Sequence, residues 1–144
     1  FVPEGRLRDS IAERAREGVD VRLLVPGPKT DAKPVRLAGR SHYEELLEAG
    51  VRIFEYQPGM MHAKTVVVDE IWTLVGSANM DKRSVTLNEE NLIGISDPRF
   101  AAEVQRGLET DFHRSAEINL EEFRRRGLGS RLLERMSRLL IEQY

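Results

Sequence analysis

The sequence predicts an α/β fold in which a mixed β-sheet is flanked by helices. Leu7, Ile11 and Ala15 recur four residues apart, as on one face of a helix. Short apolar runs bounded by Gly and Pro, such as residues 19–25 and 51–56, are typical of buried strands. These two kinds of segment alternate along the chain, which favours a layered α/β sandwich. The 144 residues suit one domain with its own core.

The elements follow from local patterns and from the residues that interrupt them. Gly18 and Gly50 end helical patterns, and Pro26-Gly27-Pro28 breaks a strand and begins a loop. For the first part we expect a helix over 4–17, a strand over 19–25, a loop that carries Lys29, Lys33 and Arg36, a helix over 38–49 and a strand over 51–56. We then expect a hairpin over 62–76, a polar turn region over 80–90, a strand over 91–95 and a helix from Pro98 to about residue 115.

The composition excludes several classes of protein. Charged residues make up 32% and hydrophobic residues 40% of the chain, as in soluble globular domains. There is no cysteine, so a disulfide or a cysteine nucleophile is ruled out. The net charge of −2 disfavours a strongly basic nucleic-acid-binding protein. The chain begins Phe1-Val2-Pro3, like the end of a strand and without an initiator Met, so we expect a piece of a longer protein.

The C-terminal residues differ from the rest, and we divide the chain into residues 1–120 and 121–144. Residues 121–144 hold six arginines and four glutamates, whereas the preceding residues carry a net charge of −4. Leucines and one methionine recur there at helical spacing with arginines among them. The pattern predicts a basic amphipathic helical segment. Two roles remain open for it, packing against the domain or lying on an anionic membrane surface.

One 18-residue run, HAKTVVVDEIWTLVGSAN, carries the clearest chemistry. The alternation of apolar residues predicts two short strands joined by a turn at Asp69-Glu70. Because side chains alternate along a strand, His62 and Lys64 share a face and Asp69 points the other way. A histidine beside a fixed cation, followed by Gly76, Ser77 and Asn79 at a strand end, suits phosphate chemistry. Neutral imidazole can attack phosphorus, and lysine offsets the charge of the phosphate.

The run resembles the HKD motif of the phospholipase D superfamily, H-x-K-x4-D-x6-G-S-x-N. The segments GVDVRLLVPG, VRIFEYQPGMMHAKT and MDKRSVTLNEENLIGISD are also similar to bacterial-type cardiolipin synthases, and to their C-terminal half rather than the first. The resemblance covers roughly residues 1–125. It implies the phospholipase D-like α-β-α sandwich, in the form of one half of the two-domain fold.

The resemblance also implies roles for individual residues. His62, Lys64, Asn79 and Glu90 are the catalytic candidates, and Lys64, Ser77 and Asn79 are the phosphate-binding ones. Asp69 and Gly76 are structural, Asp69 as a turn-stabilising or a buried carboxylate. An acidic residue after the motif holds the histidine ring in such enzymes, and the pattern Leu-Asn-x-Glu assigns that role to Glu90, although Glu89 remains an alternative. No metal site and no cofactor is expected.

The superfamily mechanism needs two HKD motifs, one histidine as nucleophile and one as general acid, and this chain has one H-x-K. We therefore expect a partner, either a missing N-terminal HKD half or a second copy of the chain. The favoured function is a phosphatidyltransferase of cardiolipin-synthase type, in which phosphatidylglycerol is the substrate and a phosphohistidine the intermediate. A phospholipase D hydrolase, a homodimeric HKD nuclease and a catalytically silent interaction module are the alternatives.

The expected partners are the phospholipid and a membrane surface, with no nucleic acid favoured. Localisation would be at the membrane, through parts of the full-length protein outside this chain, and these residues by themselves would be soluble. Either role, nucleophile or general acid, stays open for His62.

Overall fold

The computed structural model describes residues 2–3, 5–79 and 89–142, with side chains described to residue 140. The helices are α1 (Gly5–Arg16), α2 (Lys33–Arg40), α3 (Tyr43–Glu48), α4 (Pro98–His113), α5 (Leu120–Arg124) and α6 (Leu128–Glu142). The strands are β1 (Arg22–Pro26), β2 (Arg52–Tyr56), β3 (Thr65–Val68), β4 (Trp72–Gly76), β5 (Leu92–Ser96) and β6 (Ser115–Glu117). The predicted α/β class is confirmed.

The described strands form two three-stranded sheets. In the first, β2 lies between β1, which is parallel to it, and β6, which is antiparallel. In the second, β3, β4 and β5 form an antiparallel meander. The strands predicted to form one mixed sheet are therefore divided between a mixed sheet and an antiparallel one. The second sheet contains most of the motif and thus positions the candidate site.

The core lies between the first sheet and the helices packed on it. Leu46 of α3, Val25 of β1 and Ile53 of β2 are buried there together with Ala12 of α1. Phe123 of α5 packs against Tyr43, with ring centroids 5.8 Å apart. Ile11 and Ala15 of the predicted apolar face pack against this cluster beside buried Ala12, whereas Leu7 is exposed.

Several helix ends follow from single residues. Gly18 and Gly50 follow the helical turns with φ of +95° and +96°, a conformation that glycine adopts without strain. The carboxylate of Asp97 caps α4, since it accepts hydrogen bonds from the backbone N–H groups of Arg99 and Phe100 at 2.7 and 3.1 Å.

The single helix predicted over 38–49 is wrong, because two short helices are present. The hydroxyl of Ser41 donates to the carbonyl of Ala38 at 2.6 Å, and His42 then precedes α3. Such a local bond competes with the helical ladder and favours a break. α2 begins earlier than expected, at Lys33, within the predicted loop, and Pro34 occupies its first turn.

Three other boundaries differ from the predicted ones. β1 begins at Arg22 and includes Pro26, so the strand is shifted toward the proline that was expected to break it. Val2 and Pro3 are buried but lie outside any strand. β6 was not predicted. Most of the turn region over 80–90 lies outside the described residues.

Candidate active site

Three strand ends meet at one edge of the second sheet. Lys64 precedes β3, Gly76 ends β4 and Asn91 precedes β5. The backbone N–H of Gly76 donates to the carbonyl of Lys64 at 3.2 Å, and that of Ser77 donates to the carbonyl of Asn91 at 3.0 Å. The two ends of the motif, which are more than ten residues apart in sequence, are therefore adjacent in space. Glu90 is brought to the same edge because it directly precedes Asn91.

His62 and Lys64 are in contact, although not by the predicted route. β3 begins only at Thr65, so the strand alternation that predicted a shared face does not extend to them. Instead the Lys64 ammonium donates to His62 Nε2 and to the His62 carbonyl oxygen, both at 2.9 Å. An ammonium group has no acceptor, so Nε2 must accept and the proton of a neutral ring lies on Nδ1. Nucleophilic attack by Nε2 uses the same lone pair, so the Lys64 ammonium must release this nitrogen before it can attack phosphorus.

Ser77 makes a link between the turn after β4 and Glu90. Its hydroxyl donates to Glu90 Oε2 at 2.5 Å and accepts from the backbone N–H of Asn91 at 3.1 Å. The Glu90 side chain is partly buried, whereas Glu89 is exposed. Of the two glutamates, Glu90 is therefore the one held against the Gly-Ser turn. Its contact with the His62 ring stays a prediction, as does phosphate binding by Ser77.

Gly76 is required by a close approach between neighbouring strands. A Cβ atom at this position would lie 2.0 Å from the carbonyl oxygen of Asn91, far inside van der Waals contact. The backbone of β4 can thus reach β5 only through a residue without a side chain. This tight pairing holds Ser77 next to Glu90. The close approach at Gly76 is thus one of strand β4 to strand β5.

Asp69 lies in the predicted turn between β3 and β4. Asp69 and Glu70 both have positive φ, +51° and +57°, as the common two-residue hairpin turn requires at its two central positions. Aspartate tolerates this conformation better than most residues. Asp69 is exposed, so the buried form of its structural role is wrong, whereas a role in the turn agrees with its position.

Asn79 is described and exposed, two residues beyond Ser77. Within residues 2–3, 5–79 and 89–142 it makes no hydrogen bond to His62 or Lys64. The structure thus joins His62 to Lys64, and Ser77 to Glu90, at one edge, and Asn79 follows Ser77 by two residues in the chain. Asn91 was not among the predicted site residues. Only the antiparallel pairing of Asn91 with the Gly-Ser turn would have indicated this residue. The sequence alone does not specify that pairing.

The matching family model identifies the chain. The model described as "Cardiolipin synthase, PLD-like domain" matches residues 1–112, most of the chain. The chain belongs to this phospholipase D-like family. The predicted resemblance is therefore confirmed. The match includes all the candidate site residues at the edge of the second sheet, and it ends within α4, before α5 and α6.

Individual relatives agree with the family model. The chain is 39% identical over 140 residues to cardiolipin synthase 2 of Bacillus anthracis, which covers 97% of the chain and 27% of that protein. It is 36% identical over 140 residues to minor cardiolipin synthase ClsB of Bacillus subtilis, covering 97% of the chain and 35% of that protein. The chain thus spans about a third or less of the length of these relatives.

Solved structures share the fold. A phospholipase D family member, Nuc from Salmonella typhimurium, aligns with a TM-score of 0.70 at 18% identity, over 81% of this chain and 76% of that one. The phosphatidylserine synthase of Haemophilus influenzae aligns with a TM-score of 0.73 at 18% identity, over 99% of this chain and 36% of that one. At this identity the likeness establishes the fold.

Proposed function

We propose that the chain forms one catalytic half of a phosphatidyltransferase of cardiolipin-synthase type that acts on phosphatidylglycerol. The observation that carries the proposal is the contact between His62 Nε2 and the Lys64 ammonium at 2.9 Å, in a chain of this family. The names of the relatives, which are cardiolipin synthases, support the reaction class. The second half is either the missing N-terminal HKD half or another copy of the chain.

The first step transfers the phosphatidyl group to a histidine. The lone pair of an imidazole nitrogen attacks phosphorus, the bond between phosphorus and the glycerol headgroup oxygen breaks, and a second histidine gives that oxygen its proton. The products of the step are glycerol and a phosphatidylhistidine. His62 serves as one of these two histidines, and the partner half supplies the other.

The second step releases the histidine. A hydroxyl of a second phosphatidylglycerol attacks phosphorus while the deprotonated second histidine accepts its proton, and the phosphorus–nitrogen bond breaks. The product is cardiolipin, and both histidines return to their initial state. Lys64 stabilises the phosphate in both steps. At about 4 Å and an effective dielectric constant near 20, one cation contributes up to about 4 kcal/mol before desolvation is counted.

The carboxylate of Glu90 orients the imidazole and stabilises its cation in this scheme. The hydrogen bond from Ser77 supports the proposal because it restrains one oxygen of Glu90 at the site edge. Asn79 adds a phosphate-binding amide. These roles follow the family pattern and the positions of the residues around the sheet edge.

Product analysis by mass spectrometry tests the proposal. We would supply the chain, alone and with its N-terminal half, with phosphatidylglycerol vesicles and measure cardiolipin and glycerol. The reconstituted enzyme should form both, and His62→Asn should reduce turnover by at least about 10²-fold because it removes a nucleophile or general acid. His113→Asn is the matched control, since His113 is exposed at the end of α4.

The alternative functions give different products. Phosphatidic acid without cardiolipin would indicate a hydrolase, and DNA cleavage by the chain alone would indicate a homodimeric nuclease. Normal turnover by the His62→Asn enzyme would contradict the proposed role of His62. Acid-quenched trapping of a labelled phosphatidyl group distinguishes the two histidines. Label on His62 identifies it as the nucleophile, and label on the other half identifies His62 as the acid.

A further inference from the structure

Helix α6 turns its apolar side to solvent. Six large apolar side chains of this helix are more than half exposed: Leu128, Leu132, Leu133, Met136, Leu139 and Leu140. At about 100° per residue these side chains fall within about 140° of the helix circumference. They therefore form one continuous strip, which we call the outer face of α6. Exposed apolar strips of this size mark contact with a partner or a membrane.

The opposite side of α6 is polar and buried. Glu134 and Ser137 are only 2% and 7% exposed. The Glu134 carboxylate pairs with Arg40 Nε of α2 at 3.3 Å and with Arg126 Nε at 3.0 Å. Turning the helix to bury its leucines would remove both arginines from a buried carboxylate, at a large energetic cost. The ion pairs thus fix the orientation in which the outer face points away from the protein.

Arginines border the outer face along one side. Arg135 lies next to the leucine strip, at about 340° if Leu128 is placed at zero, and Arg131 and Arg138 lie farther round the helix, at about 300° and 280°. Arg131 is half-buried and lies 3.7 Å from the Glu44 carboxylate. Arg135 is exposed. Leucines that can enter the acyl region, together with arginines that can reach lipid phosphates, characterise a helix that lies in the plane of an anionic bilayer surface.

We propose that the outer face of α6 docks on an anionic phospholipid surface. This site lies outside residues 1–112, which the family model matches, and it goes beyond the proposed reaction. Vesicle binding is measured without turnover, so the proposal stands or falls separately from catalysis. The positive charge of exposed Arg135 beside the outer face favours an anionic lipid surface over an uncharged apolar partner.

Co-sedimentation with vesicles tests the proposal. The full chain should bind vesicles that contain phosphatidylglycerol and bind pure phosphatidylcholine vesicles more weakly. L132Q/L139Q should weaken binding about 100-fold, roughly tenfold for each leucine that no longer enters the bilayer. Val19→Gln is the matched control, because Val19 is also about half exposed but lies in the loop after α1.

Two single arginine substitutions measure how much charge contributes to vesicle binding. Arg135→Gln should weaken binding to anionic vesicles about fivefold and leave binding to neutral vesicles unchanged. Arg99→Gln on α4 is the control, since its side chain is 95% exposed and it removes the same charge from the protein. The Arg99→Gln chain should bind anionic vesicles as tightly as the unmodified chain does.

A fluorescent label locates the contact. The chain has no cysteine, so Leu139→Cys provides a single attachment point for an environment-sensitive dye. Its emission should shift to the blue on phosphatidylglycerol vesicles, and the same dye at Val19→Cys should not respond. Unchanged melting curves would show that both variants are folded.

Two results would overturn the proposal. In one, L132Q/L139Q binds vesicles as tightly as the unmodified chain. In the other, sedimentation shows a dimer that L132Q/L139Q dissociates, with no vesicle binding by either protein. The second result would assign the outer face to contact between copies of this chain.

Discussion

Glu134 offers a direct test of how α6 is attached to the domain. Its carboxylate is buried between Arg40 and Arg126, and Arg40 also pairs with Glu55 of β2. The Glu134→Gln change removes the charge and keeps the shape. Removing one partner of a buried ion pair typically costs about 3 to 5 kcal/mol, because the remaining charge is left uncompensated.

Here the cost should be smaller, because both arginines keep another acidic partner. Arg40 retains Glu55, and Arg126 retains Glu44 at 3.7 Å. We therefore expect the free energy of unfolding to fall by about 2 to 3 kcal/mol. For a domain of this size the melting temperature should fall by about 5 to 10 °C.

The assay is thermal and urea unfolding of the full chain, with hydrogen exchange to follow α6 separately. Glu103→Gln is the control. Glu103 pairs with Arg106 on the surface of α4, both about 70% exposed, and such pairs contribute less than about 1 kcal/mol. If Glu134→Gln matched the unmodified chain in melting temperature and in α6 protection, the ion pairs would not hold the helix.

Three further changes test the sheets. Gly76→Ala should lower stability by more than about 2 kcal/mol, because its Cβ meets the carbonyl of the facing strand, whereas Gly59→Ala has open space and should be tolerated. Asp69→Val should cost about 1 to 2 kcal/mol at its positive φ, and Asp69→Asn should be nearly neutral in urea unfolding. The hydrogen bond and charge of Arg52 lower the pKa of Glu117. This carboxylate therefore stabilises the fold at pH values above its unfolded pKa. The stabilisation is lost as the pH falls through the lower folded pKa. In Arg52→Gln an NMR titration should find the Glu117 pKa raised toward its ordinary value, and an unchanged value would contradict the assignment.

The hairpin and the family could be predicted because both depend on local sequence. A run of four β-branched residues, Thr65 to Val68, specifies β3. Asp69-Glu70 supplies a turn in which both residues adopt positive φ. β6 could not be found in this way. It is three residues long and its sequence, Ser-Ala-Glu, has no strand pattern, so it exists only through antiparallel pairing with β2.

The orientation of α6 shows a different limit. Leucine spacing predicted the helix, and the usual expectation is that the apolar side packs inward. Here buried ion pairs from Glu134 to α2 and to Arg126 hold the polar side inward. These partners are 94 and 8 residues away in sequence. No periodicity within the helix could have indicated them.

The Ser77 hydroxyl connects the sequence motif to the geometry of the site. A hydroxyl has one proton to donate, and Ser77 gives it to Glu90 while accepting from the backbone of Asn91. Donation to a phosphate would require that proton to leave Glu90. The hydroxyl cannot donate to Glu90 and to a phosphate at the same time. In this structure the Gly-Ser turn therefore fixes the Glu90 carboxylate at the sheet edge that carries Lys64. Only a glycine at position 76 permits the close pairing of β4 with β5, so the glycine and the serine of the motif act together. The glycine brings the strand ends into contact, and the serine uses that contact to hold Glu90.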